Sequence, residues 1–372
     1  MLIQCTKKLL TELKMKPSPP TEEEELFSWH ANIVTVARRK TLVFMNNSNR
    51  YVIIIHGVKG KDLKKMDELL LQAIRETFHE ENIKDEVAEA FLSQAKAQEF
   101  TFSTTKDRTS VARLNKACEN PLIFERDLNP DSHYQAPVSK RASRFLVGNG
   151  KNDYIVPSDL FFRDIEEWYG ASIFNSEALV LRITLGMGNH HVWRKIVVPK
   201  QISFVDLHET IQIAFDWHDS HLHEFRVFVQ KPFDPMNRQQ EEDKRKPIVT
   251  LVCTEEALSY VNDVPMKMET YEKLADYLPA EVTYYYDFGD NWAHHIIVEE
   301  MINDYDQNYP VCLAGEGNAP PEDVGGEPGY EEFLAILADR THPDHAEMRD
   351  WGISQGYKDF DVEYVSRRMK RM

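Results

Sequence analysis

Residues 178–215, ALVLRITLGMGNHHVWRKIVVPKQISFVDLHETIQIAF, decide the architecture of the second half of the chain. Strand-like runs from Ala178 to Leu185 and from Val192 to Val198 precede a helix, for which Ser203 and Asp206 form a capping box. The order strand, strand, helix, followed by further strand-like runs, predicts an α+β domain with a mainly antiparallel or mixed sheet. The same order also opens β-grasp folds, so a β-grasp-like domain is one form that this half can take.

The first half of the chain carries its own strand and helix signals. Runs at Trp29 to Val36, Thr41 to Met45 and Tyr51 to His56 are separated by polar turn residues and predict an antiparallel meander. Apolar residues then recur at helical spacing and predict a long helix that covers one sheet face, namely Leu63, Met66, Leu70, Ile74 and Phe78. This pattern indicates a second α+β domain.

The length of 372 residues exceeds what one hydrophobic core usually organises, so two domains are expected. Apolar periodicity fades through residues 129–133, and Pro157-Ser158 has the composition of a helix start. We therefore predict an N-terminal domain over residues 1–125, a linker with a docking helix over residues 126–176, and a C-terminal domain over residues 177–372.

Composition excludes several classes of function. The formal net charge of −17 repels phosphate backbones, so tight nucleic-acid binding is not expected. No apolar run approaches the roughly 20 residues that span a bilayer, and the N-terminus lacks a secretory pattern, which predicts a cytoplasmic protein without membrane contact. The four cysteines never form a Cys-x-x-Cys pair, so neither a disulfide framework nor a thiolate zinc site is indicated.

Five ordered blocks of the second half form a recognisable pattern. They are Val192-Trp193-Arg194-Lys195, Leu207-His208-Glu209-Thr210-Ile211-Gln212, Trp217 to Phe225 (WHDSHLHEF), Tyr286 to His294 (YDFGDNWAH) and Pro320 to Gly326 (PPEDVGG). In this order they resemble the family named after the third open reading frame of plasmid pRiA4b. The resemblance covers residues 181–351. The first module, from Met1 to about Phe124, resembles a separate domain of unknown function that can precede it, mainly through the opening residues 2–10.

The resemblance implies a domain with no assigned catalytic residues, sometimes described as a passenger of mobile insertion elements. This chain departs from the pattern at Ala319, where related sequences often carry a cysteine before the Pro-Pro-Glu-Asp block. Cysteine-based chemistry is therefore not expected in this member.

Histidines and acids interleave in the same blocks, and ten of the 14 histidines lie between His190 and His345. Imidazole combined with carboxylate suits a divalent metal such as zinc, manganese or iron(II). The metal-ligand candidates all lie at turns or strand ends, namely His218, His221, Asp287, Asp290 and His294. We expect the segments 217–224, 287–294 and 320–326 to converge on one site.

A structural role explains many of the same residues. Trp292, His294 and Ile296 share one face of a predicted strand, where an inward imidazole can simply hydrogen-bond a neighbour. His221, His223, Phe225 and Val227 likewise share one face of their strand, so the two histidines either ligate one ion or flank the edge of the core. The loop at Glu322 and Asp323 suits either a cation or hydrogen bonds to nearby amides, and Asp287-Phe288-Gly289 lacks the other kinase motifs and predicts a hairpin turn.

The residues favour a binding or protein-interaction module whose partner is another protein or a small molecule. The alternative is a metal-dependent hydrolase, acting for example on phosphoesters, in which Glu224 or Glu322 serves as the base. A third reading, an accessory protein of a mobile genetic element, rests on the resemblance alone and is opposed by the charge. The sequence leaves open whether the protein is an enzyme.

Overall fold

The computed structural model describes residues 1–19, 24–150, 153–229, 246–259 and 263–372. These residues form two compact units, Met1–Asn175 and Ser176–Met372, each with helices packed on a sheet. The predicted two-domain α+β organisation is confirmed. Within the described residues, no helix combines the length and the apolar composition needed to cross a bilayer.

The first unit is built on a five-stranded sheet of order β4-β3-β2-β1-β5. Its strands are β1 (Leu2–Cys5), β2 (Ser28–Val36), β3 (Arg39–Asn46), β4 (Val52–Val58) and β5 (Thr101–Thr104). Strands β2, β3 and β4 form the predicted antiparallel meander. Strand β1 pairs in parallel with both β2 and β5, so the sheet as a whole is mixed.

In the part of the first unit that the structure describes, seven helices complete the core. They are α1 (Lys7–Leu13), α2 (Met66–Glu80), α3 (Asp85–Ala97), α4 (Arg108–Ala117), α5 (Asn120–Ile123), α6 (Ala136–Ser143) and α7 (Pro157–Tyr169). The predicted apolar stripe of α2 is buried, and its Phe78 ring packs against Phe91 of α3 and Phe161 of α7. A short hairpin of β6 (Val147–Gly150) and β7 (Asp153–Ile155) lies between α6 and α7 in the chain.

The segment predicted as a linker, residues 126–176, is instead folded into the first unit up to Asn175. Helix α6 lies along β4, the edge strand of the sheet, where the Ser139 and Ser143 hydroxyls accept hydrogen bonds from the Ile54 and Val52 amides. This cover satisfies backbone groups that an edge strand would otherwise expose. Apolar periodicity cannot reveal these serine contacts, although Val138 and Ala142 of the same helix also pack in a hydrophobic cluster with Val52 and Ile54 of β4.

The second unit contains an eight-stranded sheet of order β12-β11-β10-β13-β14-β8-β9-β15. Its strands are β8 (Ser176–Leu185), β9 (Val192–Pro199), β10 (His223–Phe228), β11 (Val249–Val252), β12 (Met266–Met268), β13 (Glu281–Tyr286), β14 (Trp292–Tyr305) and β15 (Val311–Glu316). All neighbours are antiparallel except β11 and β12. The strand, strand, helix opening is present, and the sheet extends well beyond it on both sides.

Among the described residues, four helices belong to this sheet, namely α8 (Phe204–Phe215), α9 (Gly326–Ala338), α10 (His345–Ser354) and α11 (Val362–Met369). The capping box of α8 forms as predicted between Ser203 and Asp206. Residues 271–277 contain short 3₁₀ turns and no α-helix. There the Leu274 amide donates to the Ile202 carbonyl and the Glu272 carbonyl accepts from the Phe204 amide, so part of this backbone pairs with the start of α8 and the loop before it.

Candidate metal centre

The three segments expected to form a site are brought together at one end of the second sheet. The Trp217 indole donates to the Pro320 carbonyl over 2.8 Å, and the Gly325 amide donates to Asp290 over 3.1 Å. The Tyr286 hydroxyl donates a short hydrogen bond to Glu322. Side chains that are distant in the chain therefore lie together at one polar edge of the second unit.

His221, Asp287 and Asp323 form the most open polar group at this edge. Nε2 of His221 lies 3.0 Å from an oxygen of Asp323 and 3.6 Å from an oxygen of Asp287. One ligand atom from each of the three residues can be chosen so that all lie within 4.8 Å of one another. Within the described residues, Nε2 nevertheless makes no hydrogen bond of standard geometry. The nitrogen therefore faces two carboxylates without being satisfied by either.

Left-handed backbone at the two aspartates sets this arrangement. Asp287 has φ 55° and Asp323 has φ 59°, a conformation that aspartate tolerates better than most residues. Oδ1 of Asp287 accepts from the Gly289 amide over 2.8 Å, and its other oxygen, Oδ2, is the one nearest His221. The predicted turn between β13 and β14 is present, with Asp287 and Asn291 rather than Gly289 at positive φ.

Glu322, which precedes Asp323, belongs to a different environment. Its side chain is buried and accepts from the Tyr286 hydroxyl, while Ser220 Oγ lies 3.5 Å from its second oxygen. Burial and the bond to Glu322 raise the pKa of Tyr286, whose ring stacks on Trp217 at a centroid distance of 5.0 Å. Adjacent residues of this loop thus point to opposite surroundings, Glu322 inward and Asp323 to the open edge.

Four other predicted site residues lie outside this group of three. His218 is exposed, and the Asp290 carboxylate accepts from the Gly325 amide. Glu224 accepts from Arg226 over 2.6 Å on β10. His294 is fully buried among aromatic rings, with its ring centroid 4.7 Å from that of Phe215, and neither ring nitrogen has a hydrogen-bond partner among the described residues. Its environment is that of a core residue.

His221 and His223 do not share a strand face, because β10 begins only at His223. The His223 ring instead stacks on His208 with centroids 3.6 Å apart and planes 4° apart. His208 also contacts Tyr284 over 2.7 Å and Asp219 over 2.9 Å. In this second cluster, His208 of α8 and His223 of β10 are buried, whereas Asp219 is exposed.

A shared metal ion does not suit the stacked histidines. An imidazole nitrogen binds a metal in the plane of its own ring, and two parallel planes have no point in common. Three of the four ring nitrogens also have other partners, since both His208 nitrogens are hydrogen-bonded and Nε2 of His223 contacts Glu269 over 2.9 Å, whereas Nδ1 of His223 has no hydrogen-bond partner among the described residues. Burial lowers the pKa of His223, but interactions with the side chains of Cys253 and Glu269 outweigh burial and raise the pKa to about 9. Burial and the neighbouring His223 lower the pKa of His208.

Comparison with known proteins identifies the second unit. A model of the plasmid pRiA4b ORF-3-like protein family matches residues 177–369. The chain belongs to this family. Residues 2–160 match a domain of unknown function, DUF6933, so the predicted pairing of the two kinds of domain is confirmed.

Two relatives of this family member illustrate the extent of the similarity. The uncharacterized protein y4hQ of Sinorhizobium fredii is 34% identical over 180 residues, which cover 48% of this chain and 81% of the relative. A crystal structure of a protein of unknown function from Methanosarcina mazei Go1 is 32% identical and matches with a TM-score of 0.39. That match covers 50% of this chain and 94% of the solved one.

Proposed function

We propose that the C-terminal domain is a divalent-cation-binding module in which His221, Asp287 and Asp323 hold the ion. The observation that carries the proposal is the His221 nitrogen, which faces two carboxylate oxygens without a hydrogen bond of standard geometry. A cation between these atoms would satisfy all three groups at once. One imidazole with two carboxylates is a ligand set that suits zinc, manganese or iron(II).

Exposure of two of the three side chains favours an open coordination site. The Asp323 side chain is 63% exposed and that of His221 is 28% exposed, while Asp287 is largely buried. Three protein ligands leave coordination positions for water or for a donor atom of a bound molecule. The site would therefore bind an additional ligand rather than only stabilise the fold.

The arrangement supports binding better than hydrolysis. A metal-dependent hydrolase needs a carboxylate or imidazole that can take a proton from the metal-bound water. Glu322 already accepts from Tyr286, and Glu224 already accepts from Arg226, so both proposed bases are engaged in other interactions. We therefore assign the site a binding function.

Titration calorimetry of the chelator-treated, untagged full chain with zinc or manganese tests the proposal. Asp323→Asn keeps a side chain that tolerates positive φ and removes one charged ligand. We expect it to weaken cation binding by more than about 10-fold, which is the lower range for loss of even an outer-shell partner. His221→Gln should do the same.

Asp219→Asn is the matched control. Asp219 lies in the same loop as His221 and also has positive φ, but it contacts the buried His208 instead. The control should bind the cation as the wild type does. Binding that survives Asp323→Asn and His221→Gln but disappears in Asp219→Asn would place the ion in the other cluster and overturn the proposal, as would no binding by the wild-type chain.

A further inference from the structure

Helices α9 and α10 and the loop before α9 enclose a groove of about 470 Å³, which we call the acidic groove. This volume lies within the range of small-molecule sites. The floor is apolar, with Phe333 of α9 in the core of the second unit and Ile336 of the same helix also buried. Trp351 of α10 packs edge-on against Phe333 at a centroid distance of 5.7 Å and forms one wall.

The rim of the acidic groove carries a single sign of charge. Four of its lining residues are acidic, namely Asp323, Glu332, Asp344 and Glu347, and none is basic. Glu332 on α9 and Glu347 on α10 are exposed and form no salt bridge within the part of the chain that the structure describes. Carboxylates on both helices thus flank an apolar floor without a cationic partner from those residues.

We propose that the acidic groove binds an aliphatic polyamine, with its methylene chain on the apolar floor and its ammonium groups at the carboxylate rim. Carboxylates on opposite helices complement a linear molecule that carries charge at separated points. Trp351 adds an aromatic surface on which an ammonium group or its neighbouring methylenes can rest. This function goes beyond cation binding at His221 and does not require it.

A basic peptide would have the same charge but fits the walls less well. Both walls are α-helices, whose backbone amides and carbonyls are already paired within each helix. An extended peptide in the groove would therefore find few partners for its own backbone groups. A polyamine has no amides to satisfy, so its desolvation leaves no unpaired backbone donor or acceptor.

Calorimetric titration of the full chain with spermidine at physiological ionic strength tests this proposal. The double variant Glu332→Gln/Glu347→Gln should weaken binding about 5- to 10-fold, as expected for two partly solvated ion pairs. Affinity should also rise with the number of methylenes in a series of diamines, because the floor is apolar. The double variant leaves all three proposed cation ligands intact, including Asp323, which also lines the groove, so weaker spermidine binding with unchanged zinc or manganese binding separates the two proposals.

The control Glu300→Gln/Glu363→Gln removes the same charge from exposed positions of the second unit outside the groove. It should bind spermidine as the wild type does. Equal weakening in both double variants would mean general attraction to an acidic protein and would overturn the proposal. So would the absence of spermidine binding, or binding only of a peptide rich in lysine and leucine.

Discussion

Acid should destabilise the second unit through His294. The side chain is fully buried, and burial lowers its pKa to about 3 from an ordinary value of 6.5. Backbone groups of Trp292 and Tyr284 offset only part of this effect, and they are not in hydrogen-bond geometry with the ring nitrogens. The folded state therefore holds a neutral imidazole under conditions in which the unfolded chain protonates it.

The sign and size of the effect follow from linkage. Between pH 6.5 and about 3, the unfolded state binds the proton and the folded state does not, so stability falls as the pH falls. Each pH unit below 6.5 removes about 1.4 kcal/mol, which amounts to about 2 kcal/mol at pH 5. His294→Leu removes this contribution and replaces an unsatisfied polar group with an apolar one, so it should change stability little at pH 7.

Urea unfolding of the wild type and of His294→Leu at pH 7 and pH 5 measures the difference. Tryptophan fluorescence follows the transition, and hydrogen exchange in β14 assigns it to the second unit. Between the two pH values, the variant should lose about 2 kcal/mol less than the wild type. His294→Gln, which is polar but does not titrate, should show the same reduced sensitivity. If both variants lose as much stability as the wild type, the buried neutral imidazole is not the cause.

The sequence predicted helices with apolar faces well and missed the elements that pack through polar contacts. The α2 stripe ending at Phe78 is typical of a helix over a sheet, and it is buried as expected. Helix α6 packs on β4 through Ser139 and Ser143, whose hydroxyls bind backbone amides. Periodicity of apolar residues cannot reveal a contact that serine hydroxyls make. The residues that these hydroxyls contact are also 85 and 91 positions away in the chain.

For the site, the sequence predicted the convergence but not the grouping of side chains. Density of histidine and acid at turns was enough to select the three segments. Strand β10 begins at His223, so His221 lies in the preceding loop and not on the strand. In β14, side chains alternate between the two faces of the sheet, and His294 lies on the face that packs in the core. Asp323 and Glu322 are neighbours in one loop, and the sequence does not show which of them points inward. The Tyr286 hydroxyl bonds Glu322 in the interior, and this tertiary contact leaves Asp323 at the open edge.

Two further substitutions, one in each unit, test a buried ion pair and the position of a loop. Arg144→Ala leaves the Glu81 carboxylate, which is fully buried and accepts two hydrogen bonds from Arg144, without its countercharge. This change should cost about 3–5 kcal/mol in urea unfolding of the first unit, and the double variant Glu81→Gln/Arg144→Met should recover part of that loss. Gly329→Ala concerns the loop that carries Asp323. A β-carbon on Gly329 would lie only 1.9 Å from the Val324 carbonyl oxygen, so the backbone at Val324 must move. Because Asp323 is the preceding residue, this shift should displace its carboxylate from His221 and weaken zinc or manganese binding by about the same factor as Asp323→Asn. Gly60→Ala, at a position with open space around the added carbon, is the control and should leave binding unchanged. Normal cation affinity in a folded Gly329→Ala protein would show that the loop does not set the position of the ligand.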